Sequence, residues 1–207
     1  FAVTTHGKAA HSSMPEQGDS AVYQMMHVLR FMADKLEPEL ASIRHPLCGS
    51  PTIVAGTIRG GTQINIVPES CRIEVDRRIV PGEQPELAMA EFDRKLAAYT
   101  AAEGLHVDYT VTELLLDPAL DTPADAAIVS DAVRAGRAIG LASDVVGVPY
   151  GSDASKLQRS GIPTIVYGPG SIAQAHSKEE WVPVREVELA AKFYYELAVA
   201  FGKGGRE

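Results

Sequence analysis

Residues that could act on a substrate or hold a metal are sparse in this chain, and they cluster at a few glycine- and serine-rich turns. His176 closes the run Gly168-Pro169-Gly170-Ser171-Ile172-Ala173-Gln174-Ala175-His176, directly after an apolar stretch ending at Tyr167. Ligands of α/β sheets collect at the carboxyl ends of strands, and a Gly-Pro-Gly turn lets backbone approach a ligand closely. Imidazole is a common zinc ligand, and acidic neighbours such as Glu179 and Glu180 can fix its tautomer. The plainer reading is an exposed histidine on a glycine turn. Of the other histidines, His27, His45 and His106 have little around them that suggests chemistry.

Two further residues suit an anionic substrate. Arg78 could grip a carboxylate with two parallel hydrogen bonds, or simply pair with Asp76 two positions earlier. Asn65, in Gly60-Gly61-Thr62-Gln63-Ile64-Asn65-Ile66-Val67-Pro68, is either a turn residue or an amide contact for a substrate. Gly151-Ser152-Asp153 stands before a helical stretch, where Ser152 or Asp153 can cap the helix. The nucleophile-elbow pattern, the phosphate-binding loop and the dinucleotide fingerprint are all missing.

These residues need a scaffold, and the apolar spacing supplies one. A strand is expected over residues 1–5 and a helix over 21–36, where Val22, Met25, Met26, Leu29, Met32 and Leu36 recur at helical intervals. A loop with Pro38, Pro46 and Gly49 should follow. Strands are expected over 52–59 and 71–79. In the second, Cys71, Ile73 and Val75 face one way and Arg72, Glu74, Asp76 and Arg78 the other. A helix over 84–102 and a strand through Leu105, Val107, Tyr109 and Val111 complete the order β-α-β-β-α-β. That order is an α+β ferredoxin-like unit, assigned to residues 1–113. Residues 114–207 alternate helices (125–139, 154–160, 186–201) with short apolar strands at 145–148 and 164–167, the pattern of an α/β sheet that needs further strands.

Composition narrows the function classes. The net charge is −8, from 19 basic and 27 acidic residues, which argues against nucleic acid as partner. No apolar run approaches a membrane span. Cys48 and Cys71 share no metal-ligand spacing and read as reduced thiols of a cytoplasmic protein. The chain starts at Phe1, already in strand, so an upstream segment is expected.

Four segments in this order resemble a known family. They are Gly7-Lys8-Ala9-Ala10-His11-Ser12-Ser13, then Asn65-Ile66-Val67-Pro68 with Asp76-Arg77-Arg78, then Tyr150-Gly151-Ser152-Asp153-Ala154, then Gly168-Pro169-Gly170 through Ala175-His176. Together they resemble the co-catalytic zinc metallopeptidases and amidohydrolases: acetylornithine deacetylase, succinyl-diaminopimelate desuccinylase, aminoacylase and glutamate carboxypeptidase. The resemblance implies that residues 1–113 are a dimerisation, or lid, domain and that the rest is the C-terminal part of the catalytic domain. It implies hydrolysis of an amide bond in an N-acyl amino acid or small peptide, using two zinc ions (cobalt or manganese in their place) and a glutamate base. His176 would be the last zinc ligand. His11 would reach the neighbouring subunit's site and stabilise the oxyanion. Asn65 and Arg78 would hold the substrate's carboxylate end, and Ser152 and the backbone of Gly170 would touch the substrate. The partner would be a second copy of the chain. The family's other ligands and its glutamate have no counterpart in this sequence. A non-catalytic dimerisation or binding module is therefore the alternative.

Overall fold

Strict alternation over Ser70–Arg78 (β3) buries Cys71, Ile73 and Val75 and leaves the intervening polar residues on the open side. β3 is flanked by Ala2–His6 (β1) and Thr52–Gly60 (β2), and Tyr109–Thr112 (β4) completes the sheet on the far side of β1. The order is β2-β3-β1-β4 and every neighbouring pair is antiparallel. This is the α+β ferredoxin-like unit expected from the sequence. The structure is a computed structural model describing residues 1–204. It divides into two compact units, Phe1–Ala119 and a second that begins at Leu120, against a division near residue 113 drawn from the sequence.

One face of the sheet is covered by helices Ala21–Phe31 (α1) and Pro85–Ala102 (α3). Ser20 caps α1 by accepting the Tyr23 amide, and Met25, Val28 and Phe31 point into the core. There Phe92 of α3 meets Phe1 at a ring-centroid distance of 4.9 Å and Phe31 at 5.8 Å. Such tilted contacts suit the quadrupoles of aromatic rings.

Two expectations are corrected within this unit. The helix does not give way to a loop at Pro38. It passes through a π turn, Met32–Leu36, into Glu37–Ser42 (α2). A proline ring normally strikes the carbonyl four residues back, here that of Asp34. The wider π turn, closed by the Glu37 amide donating to the Met32 carbonyl, makes room for it. The last strand begins at Tyr109 rather than Leu105. Its ladder lies against β1, and the Thr5–Tyr109 pair is where that register ends.

The second unit is built from helices Ala127–Ala138 (α4), Ala154–Arg159 (α5) and Val184–Gly204 (α6). α4 packs on α6, and Tyr167 stacks on Phe193 with centroids 3.7 Å apart. The strands expected at 145–148 and 164–167 are not formed. A strand needs a neighbour to accept its amide bonds, and the described residues of this unit contain none. Val146, expected to be buried, is 71% exposed.

Candidate functional site

His11 and Asn65 are far apart in sequence, yet backbone pairing clamps their loops together. The Ser12 amide donates to the Asn65 carbonyl at 3.0 Å, and the Val67 amide to the Ala10 carbonyl at 2.8 Å. His11 and Ile66 form an isolated antiparallel bridge. Below this clamp the His11 loop is held by Lys8 and Asp19, which exchange amide-to-carbonyl bonds of 2.8 and 2.9 Å. Gly7 is required there, because a β-carbon would lie 2.2 Å from the Asp19 carbonyl oxygen.

The His11 ring has a defined tautomer. The Ser13 amide donates to Nδ1 at 3.2 Å, and the Ser13 hydroxyl lies 2.7 Å from the same nitrogen. A nitrogen that accepts an N–H carries no proton, so the neutral ring keeps its proton on Nε2. His11 is exposed, and Nε2 has no partner among the described residues. The loop therefore presents one fixed hydrogen-bond donor to whatever lies beyond it. Sequence reasoning assigned no role to Ser13. The signal was present in the His-Ser-Ser spacing, since serine commonly bonds a group two residues away.

Arg78 lies elsewhere. The loop carrying Asn65 closes at the start of β3, where the Gly61 amide meets the Ser70 carbonyl at 3.3 Å. Arg78 is the last residue of that nine-residue strand. At about 3.3 Å per residue, the two ends of β3 are roughly 26 Å apart. Arg78 pairs with Asp76, Nη2 to Oδ2 at 2.9 Å and Nε to the same oxygen at 3.0 Å, and both side chains are more than half exposed. One copy of the chain brings His11 and Asn65 together and keeps Arg78 apart from them.

In the second unit, Gly170 and His176 share one loop. The Gly170 amide donates to Glu186 Oε2 at 2.8 Å, and its φ of +89° is a left-handed value natural to glycine. His176 also has positive φ, +61°, the one such non-glycine residue among those described. Histidine tolerates this region better than most residues, and such outliers concentrate at functional sites. The His176 amide is held by Glu180 Oε2 at 3.1 Å. Ser152 sits in a different turn, where its hydroxyl accepts the Ala154 amide at 3.3 Å at the start of α5. A structural zinc centre needs about four ligands and a catalytic one about three. Among the described residues no three His, Cys, Asp or Glu side chains gather in that way.

Comparison with known proteins gives this geometry a family. Residues 1–103 match the peptidase dimerisation domain. These residues belong to that family. The whole chain is similar to acetylornithine deacetylase of Myxococcus xanthus, 28% identical over 209 residues that cover 99% of this chain and 52% of the deacetylase. Among solved structures, a tripeptidase from Staphylococcus aureus superposes with a TM-score of 0.74 at 25% identity, covering 96% of this chain and 50% of the tripeptidase. The aminopeptidase PepT of Bacillus cereus gives 0.68 at 29% identity, covering 96% and 49%. The chain thus spans about half the length of the relatives it matches. The dimerisation domain carries His11, Asn65 and Arg78. The matches to the deacetylase and the peptidases run on through Ser152, Gly170 and His176. No helix among the described residues is long and apolar enough to cross a membrane.

Proposed function

We propose that the chain is part of a metal-dependent hydrolase that cleaves the amide bond of an N-acyl amino acid or small peptide, working as a homodimer through the dimerisation domain. The observation that carries this reading is the clamp between the His11 and Asn65 loops, with Nε2 of His11 left as a fixed outward donor. A donor held in place before the reaction stabilises negative charge on a carbonyl oxygen without reorganising when that charge appears. Asn65 presents an amide beside it. Arg78, at the other end of β3, would grip the carboxylate of a substrate in a different copy's site from the one that His11 of the same copy serves, because no small substrate bridges roughly 26 Å within one copy. In the second unit, Ser152 and the Gly170 amide would touch the substrate and His176 would be one metal ligand. Zinc, two ions with cobalt or manganese able to replace them, belongs to this reading of the parent protein, whose remaining ligands would lie in the part of the relatives not matched here. A second reading, a dimerisation or binding module without catalysis, is supported by the missing ligand set in the described residues.

Complementation in the full-length parent separates the two readings. His11→Ala should lower kcat by about 10²–10³, the usual effect of losing one oxyanion donor, with metal content unchanged. Mixing His11→Ala subunits with subunits lacking the catalytic glutamate should restore part of the activity, since one hybrid site pairs an intact glutamate with an intact His11. Near-normal kcat in His11→Ala would sink the catalytic role. A loss without rescue would place His11 in its own subunit's site.

A further inference from the structure

The open face of the sheet carries a feature that the hydrolase reading does not use. Cross-strand register sets Arg59 directly opposite Arg72, and Arg72 opposite Thr4, which in turn faces Thr110. All four lie on the face away from the helices, as the alternation with buried Cys71, Ile73, Val3 and Thr5 requires. In the adjoining row His6 pairs with Ser70, and His6 Nε2 lies 3.1 Å from the Thr110 hydroxyl.

Like charges directly opposite each other on a sheet destabilise it, and β-carbons of such pairs are about 4.5–5.5 Å apart. Arg59 has no ion-pair or hydrogen-bond partner among the described residues. Arg72 makes a long ion pair with Glu74 of the next row, Nη2 to Oε1 at 3.9 Å, and Glu74 also accepts from the Thr57 hydroxyl at 3.3 Å. The patch therefore gathers two guanidinia, three hydroxyls and an imidazole, on a chain of net charge −8. A surplus of donors around two planar cations, one held only by a long ion pair and the other by none among the described residues, matches the acceptor geometry of an oxyanion.

We propose that Arg59 and Arg72, backed by Thr4, Thr110, His6 and Ser70, form a binding site for a multiply charged oxyanion, a phosphate or a polycarboxylate. The anion bridges the two guanidinia, so binding removes the cross-strand repulsion. This site is independent of the hydrolase reading, because none of its groups belongs to the proposed catalytic set.

The test is calorimetric titration of the chain at low chloride with inorganic phosphate in one arm and citrate in the other. Saturable binding with Kd on the order of 1 mM is expected in at least one arm, and the arm that binds more tightly names the anion class. Arg59→Ala and Arg72→Ala should each weaken binding by about tenfold, the effect of one lost charge-assisted contact. The Lys variants should fall between, since an ammonium lacks the fork. Arg94→Ala, on helix α3 at the other face of the sheet, should bind as the unaltered chain does. Thermal melting gives a second measurement: the bound anion should raise the Tm of the unaltered chain and not that of Arg59→Ala. Absence of saturable binding in both arms overturns the site. So does binding that survives in both alanine variants, or that falls equally in Arg94→Ala, which would mean diffuse charge.

Discussion

Gln24 offers the sharpest test of how the sheet end below His11 is held. It is only 4% exposed, yet all three of its side-chain bonds are made. Nε2 donates to the His6 carbonyl and to Asp19 Oδ2, each at 2.8 Å, and Oε1 accepts the Asp108 amide at 2.7 Å. One amide thus ties the end of β1, the turn before α1 and the approach to β4. Gln24→Met keeps the volume and removes every bond. Asp19 is close to half exposed and can turn to water. The His6 carbonyl and the Asp108 amide are less free to do so, and each orphaned group costs about 1–3 kcal/mol, less when partly wet. The expected loss is about 2–4 kcal/mol, a large share of a typical domain's stability of about 5–15 kcal/mol. Gln24→Glu should cost more at neutral pH, because it sets a second carboxylate against Asp19 and loses both donors. The single tryptophan, Trp181, lies in the second unit, so its fluorescence does not report this change. Urea unfolding should be followed by far-UV circular dichroism, with amide exchange read at Asp108. A loss below about 0.5 kcal/mol, within ordinary surface scatter, with Asp108 protected as before, would refute the reasoning.

Other outcomes follow from the same geometry. Arg78→Ala should leave stability within about 0.5 kcal/mol, because its ion pair with Asp76 is largely exposed. In the parent it should raise KM by roughly ten- to a hundredfold, from the loss of a bidentate contact of about 1.5–3 kcal/mol; unchanged KM would reduce Arg78 to a surface pair. Light scattering should show a dimer carried by residues 1–119, since β2 leaves one sheet edge uncovered by another strand; a monomer at high concentration would count against it. Burial pushes the pKa of the Cys71 thiol up, and burial together with the Asp93 hydrogen bond pushes up that of the Tyr109 phenol. Their unfolded counterparts lose protons near about 8.5 and 10, so the unfolded chain releases protons that the folded one keeps. Stability should therefore be complete below about pH 8 and fall as pH rises beyond it. Tm measured from pH 7 to 11 checks this, and Tyr109→Phe should flatten the upper part of the curve.

The sequence was most legible where one face is buried and the other wet. Cys71, Ile73 and Val75 announced β3 because a period of two has one solution once a core side exists. It was less legible where a partner decides the outcome. Val145–Val148 and Thr164–Tyr167 have strand-like composition, but composition does not supply a neighbour to bond. Pro38 marked a loop by local rules, and the π turn that accommodates it is a property of the whole helix. At the candidate site, glycine and histidine spacing singled out the loops of His11 and His176. The meeting of His11 with Asn65, and the distance of both from Arg78, are set by the strand register, which no single motif contains.

The π turn Met32–Leu36 has a consequence for how the chain tolerates length change. A π turn is an α-helix carrying one surplus residue, and each residue rotates the following side chains by about 100°. The surplus lies between Phe31 and Leu40, both buried against the same core. Deleting one exposed residue there, Ala33, Asp34 or Lys35, would return an unbroken α-helix while leaving Leu40 on its inner face, but with Pro38 pressed against a carbonyl again. Deletion combined with Pro38→Ala would relieve that clash. This stretch of the helix is thus a place where a single codon could be lost without disturbing the core on either side, provided the proline goes with it.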